Sequence, residues 1–580
     1  MRHMTHVPSM RYNPATTIRI GGGVEMSSTA MARTTTALKS TASLDVIVIG
    51  AGFSGMHALY SLRTQGLNVR VYDEAYTVGG TWNWNRYPGA RVDFPVAPYY
   101  CYTFSDDLMN EFDWPERQPD QATVLKYLNF VADRMDLRHD IELGTRITGA
   151  TYDEASQRWR VDTSKGTQVE AQFLICASGA LSAANSPNIP GIQTFAGECY
   201  HTGRWPQDRK VDFTGKRVAV LGTGSSGVQS IPIIARECKH LTVLQRTPQY
   251  TVPAGNRPVD PAFVANARAT WPDIKQRMRV TPFGSPFIAS TIRAMEHTPE
   301  QRREVYEHFW QEGGFNIVID TYCDLFTDKA ANDTLSEFVR EKIRCIVKNP
   351  DTVQKLLPNY LLGTKRQILD EGYYETFNRD NVTLVDLRAD PVVGFYPGGV
   401  RTKSGEHPLD TLVLATGFDA ITGTLQRLNP VGRGGVTLNE RWKARFNSYL
   451  GITIPGFPNL FMVHGPESPG VLFNMPLGAE MENDWIRDCI QHVRAQGKGA
   501  VEPAPGVDVA WGEEVASHAH RTLFEQTESW YTGANIAGKH RQFAVHVAGP
   551  QYFAKLGQVA EQGYPGFVFE PALTATRAEA

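Results

Sequence analysis

Cysteine is scarce in this 580-residue chain, with seven residues (Cys101, Cys176, Cys199, Cys238, Cys323, Cys345 and Cys489) and no Cys-x-x-Cys spacing among them. An odd, scattered set argues against a disulfide framework, a zinc site or a dithiol redox centre, and fits a reducing, cytoplasmic compartment. An excess of one charge is also missing: 58 Lys+Arg stand against 61 Asp+Glu, a formal net charge of −3. No electrostatic case for nucleic acid or an anionic membrane follows. Long apolar runs are absent too. Val46–Ile49 and Leu412–Ala415 are strand-sized, far below the roughly 18 residues of a spanning helix. Residues 1–43 hold five Lys/Arg and a single acid, Glu25. That bias has the flavour of a transit peptide, but no apolar core precedes a cleavage site. We read the stretch as a disordered tail, or as upstream sequence from an early start, with Met26 and Met31 as alternatives.

What is present is two glycine-rich loops. At 580 residues the chain exceeds one hydrophobic core, so two or three domains are expected. Asp45–Ile49 reads as a buried parallel strand running into Gly50-Ala-Gly52-Phe53-Ser54-Gly55 and a helix with apolar spacing. Gly50 permits the tight turn, Gly52 lets backbone approach a pyrophosphate, and Gly55 lets helix pack on strand. A second strand, Val69–Tyr72, ends at Asp73, 23 residues after Gly50, where a carboxylate binds ribose hydroxyls. The run Gly79–Asp93 mixes glycines with Trp82, Trp84 and Tyr87 and reads as a loop laid against a flat cofactor such as a flavin.

The second loop is Gly222-Thr223-Gly224-Ser225-Ser226-Gly227, again between a strand and a helix. Its following strand, Leu241–Leu244, ends in Gln245-Arg246-Thr247 with no carboxylate. Arg246 and Thr247 stand where a 2′-phosphate would lie, which favours NADP over NAD. Two apolar strands end in Ala-Ser-Gly179 and Ala-Thr-Gly417, an internal repeat that marks two crossings between domains. Residues 104–145 are expected to be largely helical, and 256–350 turn charged and helix-rich, as a helical insertion near a substrate cavity.

Between the two loops lies Phe195-Ala-Gly197-Glu-Cys-Tyr-His201-Thr-Gly-Arg-Trp205-Pro206. This stretch resembles the Phe-x-Gly-x-x-x-His-x-x-x-Trp-Pro fingerprint of the type I Baeyer–Villiger monooxygenases. The resemblance extends from Leu44 to Phe569. It implies an α/β fold with two Rossmann-like dinucleotide-binding domains, for FAD and NADP, and a helical insertion in the latter. The divisions expected are a tail at 1–43, FAD-binding parts at 44–185 and 409–580, a linker with NADP-binding part at 186–250, an insertion at 251–350, and further NADP-binding chain at 351–408.

The implied activity is NADPH- and O2-dependent oxygen insertion next to a ketone carbonyl, giving an ester or lactone through a flavin peroxide and a Criegee adduct. The ketone would be cyclic, aryl or terpenoid/steroid-like, and the protein a monomer or weak homo-oligomer. Gly50, Gly52, Phe53, Ser54, Gly55, Asp73, Gly80, Thr81, Trp82, Asp93, Tyr99 and Ile147 would serve FAD. Residues 222–227, Arg246, Thr247 and Lys365 would hold NADP, and Trp530 would lie in a loop folding over it. Arg366, steadied by Asp93, corresponds to the family's catalytic arginine. His201 is read as an anchor for a hinge rather than an acid or base. Two departures are noted: Phe94-Pro95-Val96-Ala97, where the family usually has an acid and a serine, and Ala537, where proline is common. The rival readings are a flavin-containing or N-hydroxylating monooxygenase acting on N or S centres, and a silent flavin/NADP-binding sensor. Trp205-Pro206 with Lys365-Arg366 disfavour the first, and Arg366 with Asp93 the second.

Overall fold

The computed structural model describes residues 44–287 and 289–573; the tail at 1–43 lies outside them. Two sheets organise the chain. In the first, strands run in the order Ile141–Glu142, Val69–Tyr72, Leu44–Ile49, Gln168–Cys176, Arg158–Thr163 and Ile147–Asp153, and Leu460–Met462 also pairs with Gln168–Cys176. Leu44–Ile49 is parallel to both neighbours, with Ile49 opposite Tyr72 on one side and Cys176 on the other. Val46, Ile47 and Val48 are fully buried, because chain covers both faces; this is why the strand reads as an unbroken apolar run. Helix Met475–Ala495 lies against helix Phe53–Arg63, and Asn483 Nδ2 donates to the Ser54 carbonyl at 2.9 Å.

The second sheet is fully parallel, ordered Val382–Asp386, His240–Gln245, Arg217–Leu221, Thr411–Leu414 and Glu198–His201. The fingerprint stretch therefore supplies an edge strand, with His201 opposite Leu414. The longer helices between the halves of this sheet are Pro261–Ala269, Trp271–Val280, Pro299–Glu312, Lys329–Ile346 and Pro350–Leu356. The first two bury Ala267, Trp271, Ile274 and Met278 in the core of the first sheet, while Tyr306, Leu335 and Phe338 enter the core of the second. The insertion thus straddles both.

Three local expectations need correction. Residues 104–145 are only partly helical: the α-helices are Asp106–Glu111 and Gln121–Arg134, with one 3-10 turn at Arg138–Asp140. Pro115 and Pro119 interrupt the segment between them, since each lacks a backbone donor. The glycine-aromatic loop carries a short helix, Thr81–Trp84. Residues 251–253, expected in the insertion, form a strand paired with Ile368–Asp370.

Candidate active site

Both glycine loops open into one cavity of about 1380 Å³. The helices they start, Phe53–Arg63 and Ser225–Glu237, have glycine N-caps with no side-chain cap hydrogen bond, so their first amides are left for a ligand. A Cβ on Gly50 would stand 2.5 Å from the Ala177 carbonyl oxygen, and one on Gly222 would stand 2.4 Å from that of Ala415. The repeated Ala-Ser-Gly and Ala-Thr-Gly strand ends are therefore the surfaces against which the two loops turn. Gly52 and Gly80 face each other, so that a Cβ on Gly80 would come within 2.9 Å of the Gly52 Cα. Gly224 meets nothing within 4 Å.

Asp73 lies at the cavity wall with Oδ2 accepting from the Ala51 amide (2.7 Å) and Oδ1 from the Ala75 amide (2.8 Å). Burial raises its pKa against these two donors. Arg366 and Asp93 meet inside the same cavity. The guanidinium donates from Nε (3.1 Å) and Nη2 (2.7 Å) to the two carboxylate oxygens, and from Nη1 to the Val471 carbonyl (2.9 Å). Its Cζ stands 5.0 Å from the centre of the Phe315 ring, which Phe94 abuts at 5.4 Å. Burial works to lower the Arg366 pKa, but the Asp93 charge and hydrogen bond, with Tyr531, raise it overall. Burial pushes the Tyr531 phenol up to about 12, against the pull of Arg366.

Lys365 and Arg246 make no ion pair within 4.0 Å among the described residues. Burial and the nearby Arg246 charge lower the Lys365 pKa. Glu528 is the one carboxylate acting on Lys365 and only partly offsets these, so two cations so placed fit a dianionic phosphate. The uncapped helices, the facing glycines and this cation pair together match what two dinucleotides require.

The structure brings most of the expected residues to the lining of one cavity: Gly50, Gly52, Phe53, Ser54, Asp73, Gly80, Thr81, Trp82, Asp93, Ile147, Gly222, Thr223, Gly224, Ser225, Ser226, Arg246, Thr247, Lys365, Arg366 and Trp530. Gly55 and Gly227 lie behind it, packed against the carbonyls of Gly50 and Gly222. Tyr99 is turned away, its ring against Phe263 and Phe287. Tyr100 lines the cavity instead and accepts from Trp82 Nε1 at 3.0 Å. His201 is not on the wall. Its Nδ1 accepts from the Gly203 amide (3.0 Å), and its Nε2 lies 3.4 Å from the Asn185 carbonyl and 3.3 Å from Thr416 Oγ1, beside both crossings. Sequence reasoning missed Arg204, Phe315, Val471 and Tyr531. Arg204 lies inside the fingerprint itself, with Nη1 2.6 Å from Glu74 Oε1 and its Cζ 4.4 Å above the Trp84 ring.

An α/β chain that aims two uncapped helix starts into one cavity is a two-dinucleotide oxidoreductase, and residues 44–270 match the pyridine nucleotide-disulphide oxidoreductase family. All seven cysteines are free and none lines the cavity, so the disulphide chemistry of that name has no thiols here. A Baeyer-Villiger monooxygenase of Pseudooceanicola batsensis is 43% identical over 91% of this chain and 96% of its own. The phenazine N-monooxygenase PhzNO1 of Lysobacter antibioticus is 42% identical over 90% and 96%. A solved oxidized steroid monooxygenase bound to NADP is 46% identical, covers 91% of this chain and 100% of its own, and superposes with a TM-score of 0.86. The chain belongs to the Baeyer–Villiger monooxygenases and is an FAD- and NADPH-dependent enzyme. No helix among the described residues is long and apolar enough to cross a membrane.

Proposed function

We propose that this enzyme inserts one oxygen atom beside the carbonyl of an apolar ketone, with Arg366 as the residue that handles the carbonyl oxygen. The observation that carries this reading is the Arg366–Asp93 pair, held in the cavity that both glycine loops share. Bound FAD, reduced by NADPH, supplies the activated oxygen. Arg366 stays cationic at every working pH and gives up no proton, so it can stabilise negative charge developing on the carbonyl oxygen without quenching it. Asp93 holds the guanidinium through two hydrogen bonds and Val471 through a third, which fixes its plane. Phe315, backed by Phe94, lies against the guanidinium and lowers the local polarity, which strengthens the charge. Asp73 would accept from a ribose, while Arg246, Thr247 and Lys365 would grip a 2′-phosphate. Trp530 would close over the nicotinamide side, and His201 would tie the linker to both crossings. In this reading residues 44–185 and 409–580 serve FAD, 186–250 and 351–408 serve NADP, and 251–350 border the ketone.

The cavity that holds Arg366 is also lined by Phe94, Phe283, Phe315, Phe326 and Phe473, an aromatic lining suited to a bulky cyclic or polycyclic ketone. The test is NADPH consumption in air by the purified yellow protein, with cyclic, aryl and steroid ketones and an aromatic N-heterocycle, with products identified. Ketone-stimulated turnover with ester or lactone formation supports the reading, and N-oxide as the only product sinks it. Arg366→Ala should keep bleaching of the flavin by NADPH and lose the ester. Ester at the wild-type yield would remove Arg366 from its role.

A further inference from the structure

The loop that holds Arg366 in place is itself held by a buried acid outside the cavity. Strand Leu460–Met462 runs into residues 463–474 and then helix Met475–Ala495. Within that loop His464 and Glu467 have φ of 55° and 71°, left-handed conformations that non-glycine residues adopt only under constraint. The strained path delivers the Val471 carbonyl to Arg366 Nη1 at 2.9 Å.

Glu482 supplies much of the constraint. It is fully buried, and its Oε2 accepts from the His464 amide at 2.6 Å. His464 Nε2 lies 3.0 Å from the Met475 carbonyl, which can only accept, so the ring proton sits on Nε2. Nδ1 is left bare, without a hydrogen-bond partner and 3.7 Å from Glu482 Oε2. Tyr552 is a second donor to the carboxyl. Its hydroxyl donates to the Leu450 carbonyl at 2.8 Å and also lies 3.2 Å from Glu482 Oε1. That one proton is shared between the Leu450 carbonyl and Oε1; the carboxyl, fully buried and with no Lys or Arg paired to it among the described residues, is kept neutral by desolvation.

We propose that protonated Glu482 and neutral His464 are positioning residues: they latch the 464–473 loop so that Val471 keeps Arg366 oriented, and loss of the Glu482 proton sets the alkaline limit of coupled oxygen insertion. Burial pushes Glu482 up to about 8, the hydrogen bonds from the His464 amide and Tyr552 opposing it, and pulls His464 down to about 4. The titratable groups facing the carboxyl are His464 from the loop and Tyr552 from helix Gly549–Glu561. Behind Tyr552 lies His546, at 5.6 Å between rings. Glu467, in the same loop, points elsewhere, accepting from the Ser448 amide (2.8 Å) and hydroxyl (2.9 Å) and from Gln542 (3.2 Å). A bare carboxylate would set charge against the lone pair of His464 Nδ1 and loosen the latch.

The inference rests on the reading of Arg366 above, so the experiment separates the two. Ester formed per NADPH consumed is measured on holoenzyme from pH 6.5 to 9.5, with the best ketone of the screen. In the wild type this ratio should fall roughly tenfold per unit above pH ~8, as one titrating proton dictates. Glu482→Gln, which cannot ionise, should remove that fall and leave the KM for NADPH unchanged. Glu467→Gln should retain it. His464→Gly welcomes the positive φ and so should fold, yet should lower the ratio at every pH, again with the KM for NADPH unchanged. An alkaline fall of equal size in Glu482→Gln, its equal removal by Glu467→Gln, or an unaltered ratio in His464→Gly would each overturn the proposal. Wild type that makes no ester at neutral pH would instead sink the reading of the site.

Discussion

Lys365 and Arg246 illustrate how a residue's environment defines its work. A buried lysine beside an arginine is unfavourable for the protein alone, since burial and like charge both oppose its protonation. The arrangement makes sense when a dianion completes it. Lys365→Ala should therefore raise the KM for NADPH about tenfold, the ~1.4 kcal/mol of one charged contact, and leave that for NADH nearly unchanged. Equal effects on both coenzymes would show that the ammonium serves something other than the 2′-phosphate. At this scale the sequence was informative where chemistry demands one residue type. Asp73 follows from its place after the glycine motif and Arg366 from the family resemblance, and both line the cavity. Tyr99 does not, because neighbouring aromatics face opposite ways and only packing against Phe263 and Phe287 decides which one turns outward. Val471 was illegible because it contributes a carbonyl, which every residue has.

Among elements, the glycine loops were the most legible, since each glycine answers to a different backbone demand. The second loop permits a test that separates them. Gly222 has φ 107° and no room for a Cβ, whereas Gly224 faces open cavity. Gly222→Ala should lower stability by about 3 kcal/mol through strain and clash, seen as a fall in the melting temperature. Gly224→Ala should leave melting unchanged and weaken NADPH binding, because its methyl enters only the ligand's space. A lowered melting temperature in Gly224→Ala without ligand would show that the space is structural. The parallel strand Val69–Tyr72 was read to the residue, its apolar residues Val69, Val71 and Tyr72 buried and Arg70 only half-buried. The 104–145 segment was overread as helix, its two prolines outweighing the helical pattern on either side.

For the whole molecule, the buried charges predict how stability follows pH. Burial is the leading cause that raises Glu467 to about 8, Glu480 to about 7 and Glu482 to about 8. Glu480 is pinned by Thr103, whose amide donates to Oε1 at 2.6 Å. In the unfolded chain each carboxyl titrates near 4.3. Between that value and the folded pKa the native state binds a proton that the unfolded state lacks, so stability declines with rising pH and levels off once the native carboxyl ionises. Burial likewise leads in lowering His57 to about 3, His464 to about 4 and His546 to about 3. These act with the opposite sign: below about 6.5 the unfolded imidazoles take up protons that the native ones refuse, and stability declines with falling pH. The two sets oppose each other between roughly 4.3 and 6.5, and above that window the carboxyls act alone. The melting temperature of the holoenzyme should therefore fall from pH ~6.5 to ~8, each carboxyl contributing on the order of 1 kcal/mol per pH unit. Glu467→Gln and Glu482→Gln should each make that slope shallower, and the double variant shallower still. A melting temperature that rises across this interval, or a slope indifferent to both substitutions, would mean that these acids are already ionised in the folded protein.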